Sequence, residues 1–172
     1  MPLVYKAGLA HDELDALEEA ISVAVPQAYR EFLGRMNGFF LSAPDFGQLP
    51  LKPVESGVIA FDRFFGVAPE EECNDLICFN DEFISELGFS GEALAIGEDG
   101  GGNPYVLVTG AGHEGVYYWD RTHLHESCDL DGFDVAEQEG CGALYKVAIG
   151  FDEFYSLIMA SLPDDIEFMQ ES

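Results

Sequence analysis

The chain has little positive charge. Only 7 Lys and Arg stand against 33 Asp and Glu, a formal net charge of −26 at pH 7. A surface this acidic repels phosphate backbones and anionic lipid. Direct nucleic-acid binding and attachment to a membrane surface are therefore excluded, and cationic partners are favoured. The chain also lacks any run of about 18 uninterrupted apolar residues, so no membrane span is expected. Met1 to Ala10 hold one Lys and no cleavage-like small-residue site, and acidic residues begin at Asp12. That is not the pattern of a secretory or mitochondrial leader, so a reducing cytoplasm is the expected compartment. The four cysteines, Cys73, Cys78, Cys128 and Cys141, are then expected as thiols. None forms a C-x-x-C pair, which removes the zinc-knuckle and thioredoxin patterns.

What is present is enough apolar side chain for a core. Hydrophobic residues make up 48% and aromatics 13% of 172 residues, which fits one folded domain spanning the chain. Leu14, Leu17 and Ile21 recur at helical spacing and predict a helix over Asp12–Ala24. Pro26 opens a second helix carrying Tyr29, Phe32, Leu33 and Met36 on one face, with Asn37-Gly38 as its stop. Val58–Phe65 reads as a strand, Asn80–Leu87 as a short helix and Ala93–Ile96 as a strand. Tyr105–Thr109 and Val116–Trp119 read as a hairpin across a longer glycine-containing loop. Tyr145–Ile149 reads as a further strand. Phe151–Leu162 closes the chain as a helix before Pro163, and the last ten residues are expected to fray. Helices at both ends with antiparallel strands between them predict an α+β fold.

Five short patterns occur in a fixed order. They are Pro26-x-x-Tyr29-x-x-Phe32-Leu33-x-x-x-Asn37-Gly38; Phe64-Phe65-Gly66-Val67; Leu94-x-Ile96-Gly97-x-Asp99-Gly-Gly-Gly102-Asn103; Val116-x-x-Trp119-Asp120; and Gly150-Phe151-x-x-Phe154. Together, over about Leu14 to Leu162, they resemble the SUKH superfamily, which takes in a yeast cell-wall-synthesis regulator and bacterial relatives. The resemblance implies a twisted, mostly antiparallel sheet flanked by helices, and a binding role without catalysis. Many bacterial members resemble immunity proteins that neutralise a toxin, often one that attacks nucleic acid. The chain departs from the pattern at Phe39-Phe40, which follow Asn37-Gly38, and in a long segment over Glu126–Gly142.

Several residue groups carry possible chemistry. Glu98, Asp99 and Asn103 offer oxygen ligands, but the loop between them lacks the Lys and following helix of a phosphate cradle and reads as a glycine turn. Asp129-x-Asp131-Gly132-x-Asp134 lacks the order of an EF-hand and reads as solvated charge. His123, His125 and Cys128 have metal-ligand chemistry with no fourth residue at a fixed spacing, and surface or partly buried histidines are the expected outcome. Gly88-Phe-Ser90-Gly91 is one residue off a nucleophile elbow. No catalytic residue and no cofactor is therefore expected.

The fitting role for the acidic residues is contact with a basic partner. Glu98, Asp99, Asp120, Glu126, Asp129, Asp131 and Asp134 are the candidate contacts, with Tyr118 as an aromatic anchor. The expected function is a binding protein of the immunity type, with a cationic toxin as partner. A regulatory interaction module and a metal-binding protein are the alternatives.

Overall fold

The computed structural model describes residues 1–54, 56–68, 74–90, 92–110, 112–124 and 132–171. The elements run β1 (Pro2–Ala7), α1 (His11–Ile21), α2 (Gln27–Arg35), β2 (Met36–Leu41), β3 (Gly47–Pro50), β4 (Val58–Phe61) and β5 (Arg63–Phe64). They continue with α3 (Leu76–Phe83), a 3₁₀ segment (Ile84–Ser90), β6 (Ala93–Glu98), β7 (Pro104–Val108), β8 (Gly115–Asp120), β9 (Ala143–Ala148), α4 (Phe151–Ser161) and β10 (Glu167–Gln170). Eight strands form one sheet in the order β10-β1-β2-β5-β6-β7-β8-β9, and β3 and β4 form a separate ladder. Every neighbouring pair is antiparallel except β1 and β10. The fold is α+β.

One face of the sheet carries the main core. The apolar stripes of α1 (Leu14, Leu17), α2 (Tyr29, Phe32, Leu33) and α4 (Phe151, Phe154, Ile158) are buried there. Aromatic rings tile this layer. Phe64 lies 5.0 Å from Phe32 and 5.7 Å from Phe154, and Tyr105 lies 4.8 Å from Phe154. Arg30 of α2 donates to Asp15 and Glu18 of α1, which fixes the two helices against each other. The opposite face is covered only over part of its width. There Phe83, Ile84 and Leu87 pack on Val106, Tyr117, Trp119 and Leu144 of β7–β9. The guanidinium of Arg121 lies 4.3 Å from the Phe83 ring and 4.8 Å from Trp119. Strands β6–β8 are thus buried on both faces, which is why they read as unbroken apolar runs.

The helices fall where the periodicity put them, within a few residues. Four features differ. Asn37-Gly38 does not stop α2; the chain passes straight into β2, and both residues lie inside that strand. The expected single strand over Val58–Phe65 is two, because the chain leaves the β3–β4 ladder after Phe61 and joins the main sheet at Arg63. The helix expected from Asn80 begins at Leu76, since the Asp75 carboxylate accepts from the N–H groups of Ile77 (2.9 Å) and Cys78 (2.8 Å). The C-terminal residues expected to fray instead add β10 alongside β1.

Candidate partner-binding surface

The five sequence patterns converge on internal bonds. The Asn37 carboxamide donates to the Val67 carbonyl at 2.9 Å and accepts from the Val67 N–H at 2.6 Å. A side chain thus ties the start of β2 to the chain three residues beyond the end of β5 at Phe64. Gly38 sits at φ +74°, and a Cβ on Gly66 would overlap the Asn37 carbonyl oxygen, so the two strands approach as closely as they do only because these positions are glycine. Gly97 is confined in the same way against the Arg63 carbonyl. Gly150, Phe151 and Phe154 start α4 and drive its aromatic face into the core.

The Gly97–Asn103 loop is built around Asp99. Its carboxylate accepts from the N–H of Gly101 (2.7 Å) and of Asn103 (3.0 Å), from the Asn103 side chain (2.9 Å) and from the Tyr118 hydroxyl (2.9 Å). Asn103 is fully buried, and its Oδ1 accepts from the backbone and hydroxyl of Thr122. These oxygens hold the turn through internal hydrogen bonds. Burial, reinforced by the negative charge of Asp99 and their hydrogen bond, pushes the Tyr118 hydroxyl far above its ordinary range. Tyr118 therefore stays a neutral donor.

The candidate contacts separate by exposure. Tyr118 has no exposed surface, and Tyr117 and Trp119 on the other face are buried as well, so neither face of β8 presents an aromatic anchor. Burial corrects the expectation for Tyr118. It does so equally for Asp120, which is 2% exposed and whose carboxylate accepts from the Leu124 N–H at 3.0 Å. Asp99 is half-buried and saturated. Glu98 is half-buried and lies 3.3 Å from Arg63 Nε, which Asp62 also contacts, at 2.6 Å. Burial raises the Glu98 carboxyl above its usual range, and Asp62 and Asp99 raise it further while Arg63 opposes them. Asp134 is exposed, but its carboxylate takes the Lys146 N–H at 2.6 Å. Glu126, Asp129 and Asp131 lie outside the described residues, as do His125 and Cys128. His123 stands 3.9 Å from Glu137. Among the described residues, no group of three or more His, Cys, Asp or Glu side chains is gathered to hold a metal.

What the sequence reading missed is the part of the sheet that no described helix covers. Over β10, β1, β2 and β5 the face away from the helices carries a cross-strand row of Met169, Val4, Phe40 and Arg63, which continues to Glu98 on β6. Phe40 is 36% and Met169 46% exposed. Beside this row lies a concavity of about 310 Å³ whose lining includes Val4, Phe40, Arg63, Asn74 and Glu171. Its strand β1 shows in the sequence only as the short apolar run Leu3-Val4-Tyr5, which has no strand period and does not stand out without its partner strands.

Among the described residues no helix is long and apolar enough to cross a membrane. A comparison with curated proteins found none that matches the chain. The model of the SMI1/KNR4 family (SUKH-1) matches residues 8–157, a span that takes in all five sequence patterns and every element from α1 to β9. The interlocked strands β2, β5 and β6, the Asp99 turn and the aromatic start of α4 are the structural content of that match, and the chain belongs to the SMI1/KNR4 family (SUKH-1).

Proposed function

We propose that this chain is a non-catalytic immunity protein that acts in the cytoplasm by stoichiometric occlusion of a cationic protein toxin. The family supports an immunity or regulatory interaction module. The observation that carries the finer reading is the charge imbalance of 33 acidic against 7 basic residues. Much of that charge has no structural task. Asp99 and Asp120 are absorbed by internal bonds and Glu13 caps α1, whereas Asp12 and Glu19 of the same helix face solvent. Exposed charge of one sign accelerates encounter with the opposite sign and contributes less to residence time once the complex has formed. A toxin that grips nucleic acid through a basic cleft has the complementary surface.

The test is capture from host lysate on the immobilised chain at about 50 mM salt, followed by elution at about 500 mM, a range over which surface charges become screened. One basic protein released by salt is expected, and co-expression of this chain should restore growth to cells making that protein. Its association rate should fall by about tenfold across the salt range while dissociation changes little. Recovery of neutral regulatory proteins with salt-independent binding would refute the toxin reading and leave the regulatory one.

A further inference from the structure

The two edges of the main sheet are treated differently by the chain itself. At the β9 edge, Leu144 exchanges both backbone bonds with Val135, at 2.9 and 3.1 Å, and the Asp134 carboxylate accepts from the Lys146 N–H. The outward donors of β9 at Leu144 and Lys146 are thus occupied. At the β10 edge they are not. Glu167 donates to the Met1 carbonyl and Glu171 to the Tyr5 carbonyl, so these residues turn their N–H groups inward to β1. Because donors alternate along a strand, Phe168 and Gln170 turn theirs outward. All four residues of β10 are exposed, and among the described residues nothing pairs with this edge.

The side chains around this edge define what fits it. Glu167, Met169 and Glu171 share the open face of the sheet, beside Val4 and Phe40, and Phe168 lies on the other face, 45% exposed. The sequence from 147 to 172 has six acidic residues and no Lys or Arg. Two copies of this chain meeting edge to edge would bring these carboxylates together, in molecules of charge −26 each. The same charges that keep copies apart favour a basic strand.

We propose that β10 is a docking edge for an extended segment of the basic protein partner, which adds as a further strand. The segment places Lys or Arg at two positions four residues apart, facing Glu167 and Glu171. An apolar residue midway between them faces Met169, and a second apolar residue packs on Phe168. Cross-strand neighbours of opposite charge and matched apolar character are what stabilise such a pairing. This proposal rests on the reading of the chain as a binder of a cationic protein, but it concerns one surface and is tested separately.

The probe is the capped peptide Thr-Lys-Val-Val-Thr-Lys-Thr, titrated to millimolar concentration into the isotope-labelled full chain and followed by NMR. The amides of Phe168 and Gln170 should shift most and exchange with solvent about tenfold more slowly, as donors newly bonded in a strand do. Gln170→Pro removes an outward donor and no internal one, so the melting temperature should hold while peptide affinity falls by about tenfold. The charge-reversed pair Glu167→Lys and Glu171→Lys should prefer the same peptide with Glu in place of Lys. Shifts centred elsewhere, or binding unchanged in Gln170→Pro, would overturn the proposal. So would a dimer of the chain dissolved by Gln170→Pro, which would make the edge a self-association site. If a basic toxin is captured and neutralised equally by wild type and Gln170→Pro, the edge proposal falls and the immunity reading stands. Peptide capture at β10 without any basic partner in the lysate reverses that outcome.

Discussion

Asn37 offers the sharpest test of whether the family patterns build the scaffold or touch the partner. The residue is 6% exposed, and its side chain makes two bonds to one residue, Val67, standing in for a strand. In Asn37→Ala both Val67 groups lose their partner. Leaving a buried amide group unpaired costs roughly 1–3 kcal/mol, and Val67 is half-buried, so the pair should cost about 2–4 kcal/mol. For a chain of this size about 1 kcal/mol moves the midpoint by roughly 2–4 °C, so a fall of about 5–15 °C is expected in thermal denaturation followed by circular dichroism.

Asn37→Asp sharpens the argument. It keeps the acceptor for the Val67 N–H but sets a carboxylate oxygen against the Val67 carbonyl. At pH 7 it should be at least as damaging as alanine. Protonation restores a donor toward that carbonyl, so the folded chain holds its proton more tightly than the unfolded chain, whose aspartate titrates near about 3.9. The folded state then binds more protons through the window above that value, and stability falls as pH rises through it. Measured as a difference from wild type at each pH, the Asp variant should recover toward pH 4 and the Ala variant should not. The reasoning is refuted if Asn37→Ala melts within about a degree of wild type, and a simultaneous loss of partner capture would show that the residue is a contact.

Two further substitutions probe the interior and the acidic cluster. The Tyr29 hydroxyl is fully buried and bonds to nothing among the described residues, whereas the ring packs on Phe32 and Phe151. Tyr29→Phe should therefore stabilise by about 1 kcal/mol, read as a rise of roughly 2–4 °C. Tyr105→Phe, which deletes the bond to the Ala60 carbonyl, should move the midpoint the other way, and equal shifts of one sign would count against the assignment. Glu98, raised by burial and by Asp62 and Asp99, holds its proton more tightly when folded. Relative to Glu98→Gln, wild type should thus lose stability as pH rises from the ordinary glutamate range. Melts at pH 4 and pH 7 that differ by the same amount between the two proteins would contradict this.

The helices and the central strands were legible because burial there leaves a periodic trace. Leu14 and Leu17, Phe32 and Leu33, and Phe151 and Phe154 each mark one helix face. Val106–Val108 and Val116–Trp119 are apolar throughout because both their faces are covered. The strands β1 and β10 left no such trace. The residues Glu167 to Gln170 are exposed on both sides, and only their pairing with β1 makes them a strand. Asn37-Gly38 misled for a related reason. A left-handed glycine after an asparagine is the usual end of a helix, but its geometry is equally what a close strand crossing requires, and a distant residue, Gly66, decides between them.

The candidate contacts failed to separate in the sequence because a carboxylate reads the same whether it is solvated or saturated. Asp99 and Asp120 sit in the patterns that identify the family, and for that reason they are bonded to backbone amides and removed from recognition. A carboxylate whose oxygens are taken up by the fold has none left to offer a partner. The positions the patterns leave free are, among the described residues, the exposed carboxylates and the part of the sheet from β10 to β5 that no described helix covers, and it is there that the proposed recognition falls. The family model ends at residue 157, ten residues before β10 begins. The open edge is thus assembled half from a strand ahead of the matched region and half from one behind it. Such an edge can change in charge and in apolar pattern without disturbing Asn37, Gly66, Gly97 or Asp99, which is the freedom that a scaffold serving different protein partners requires.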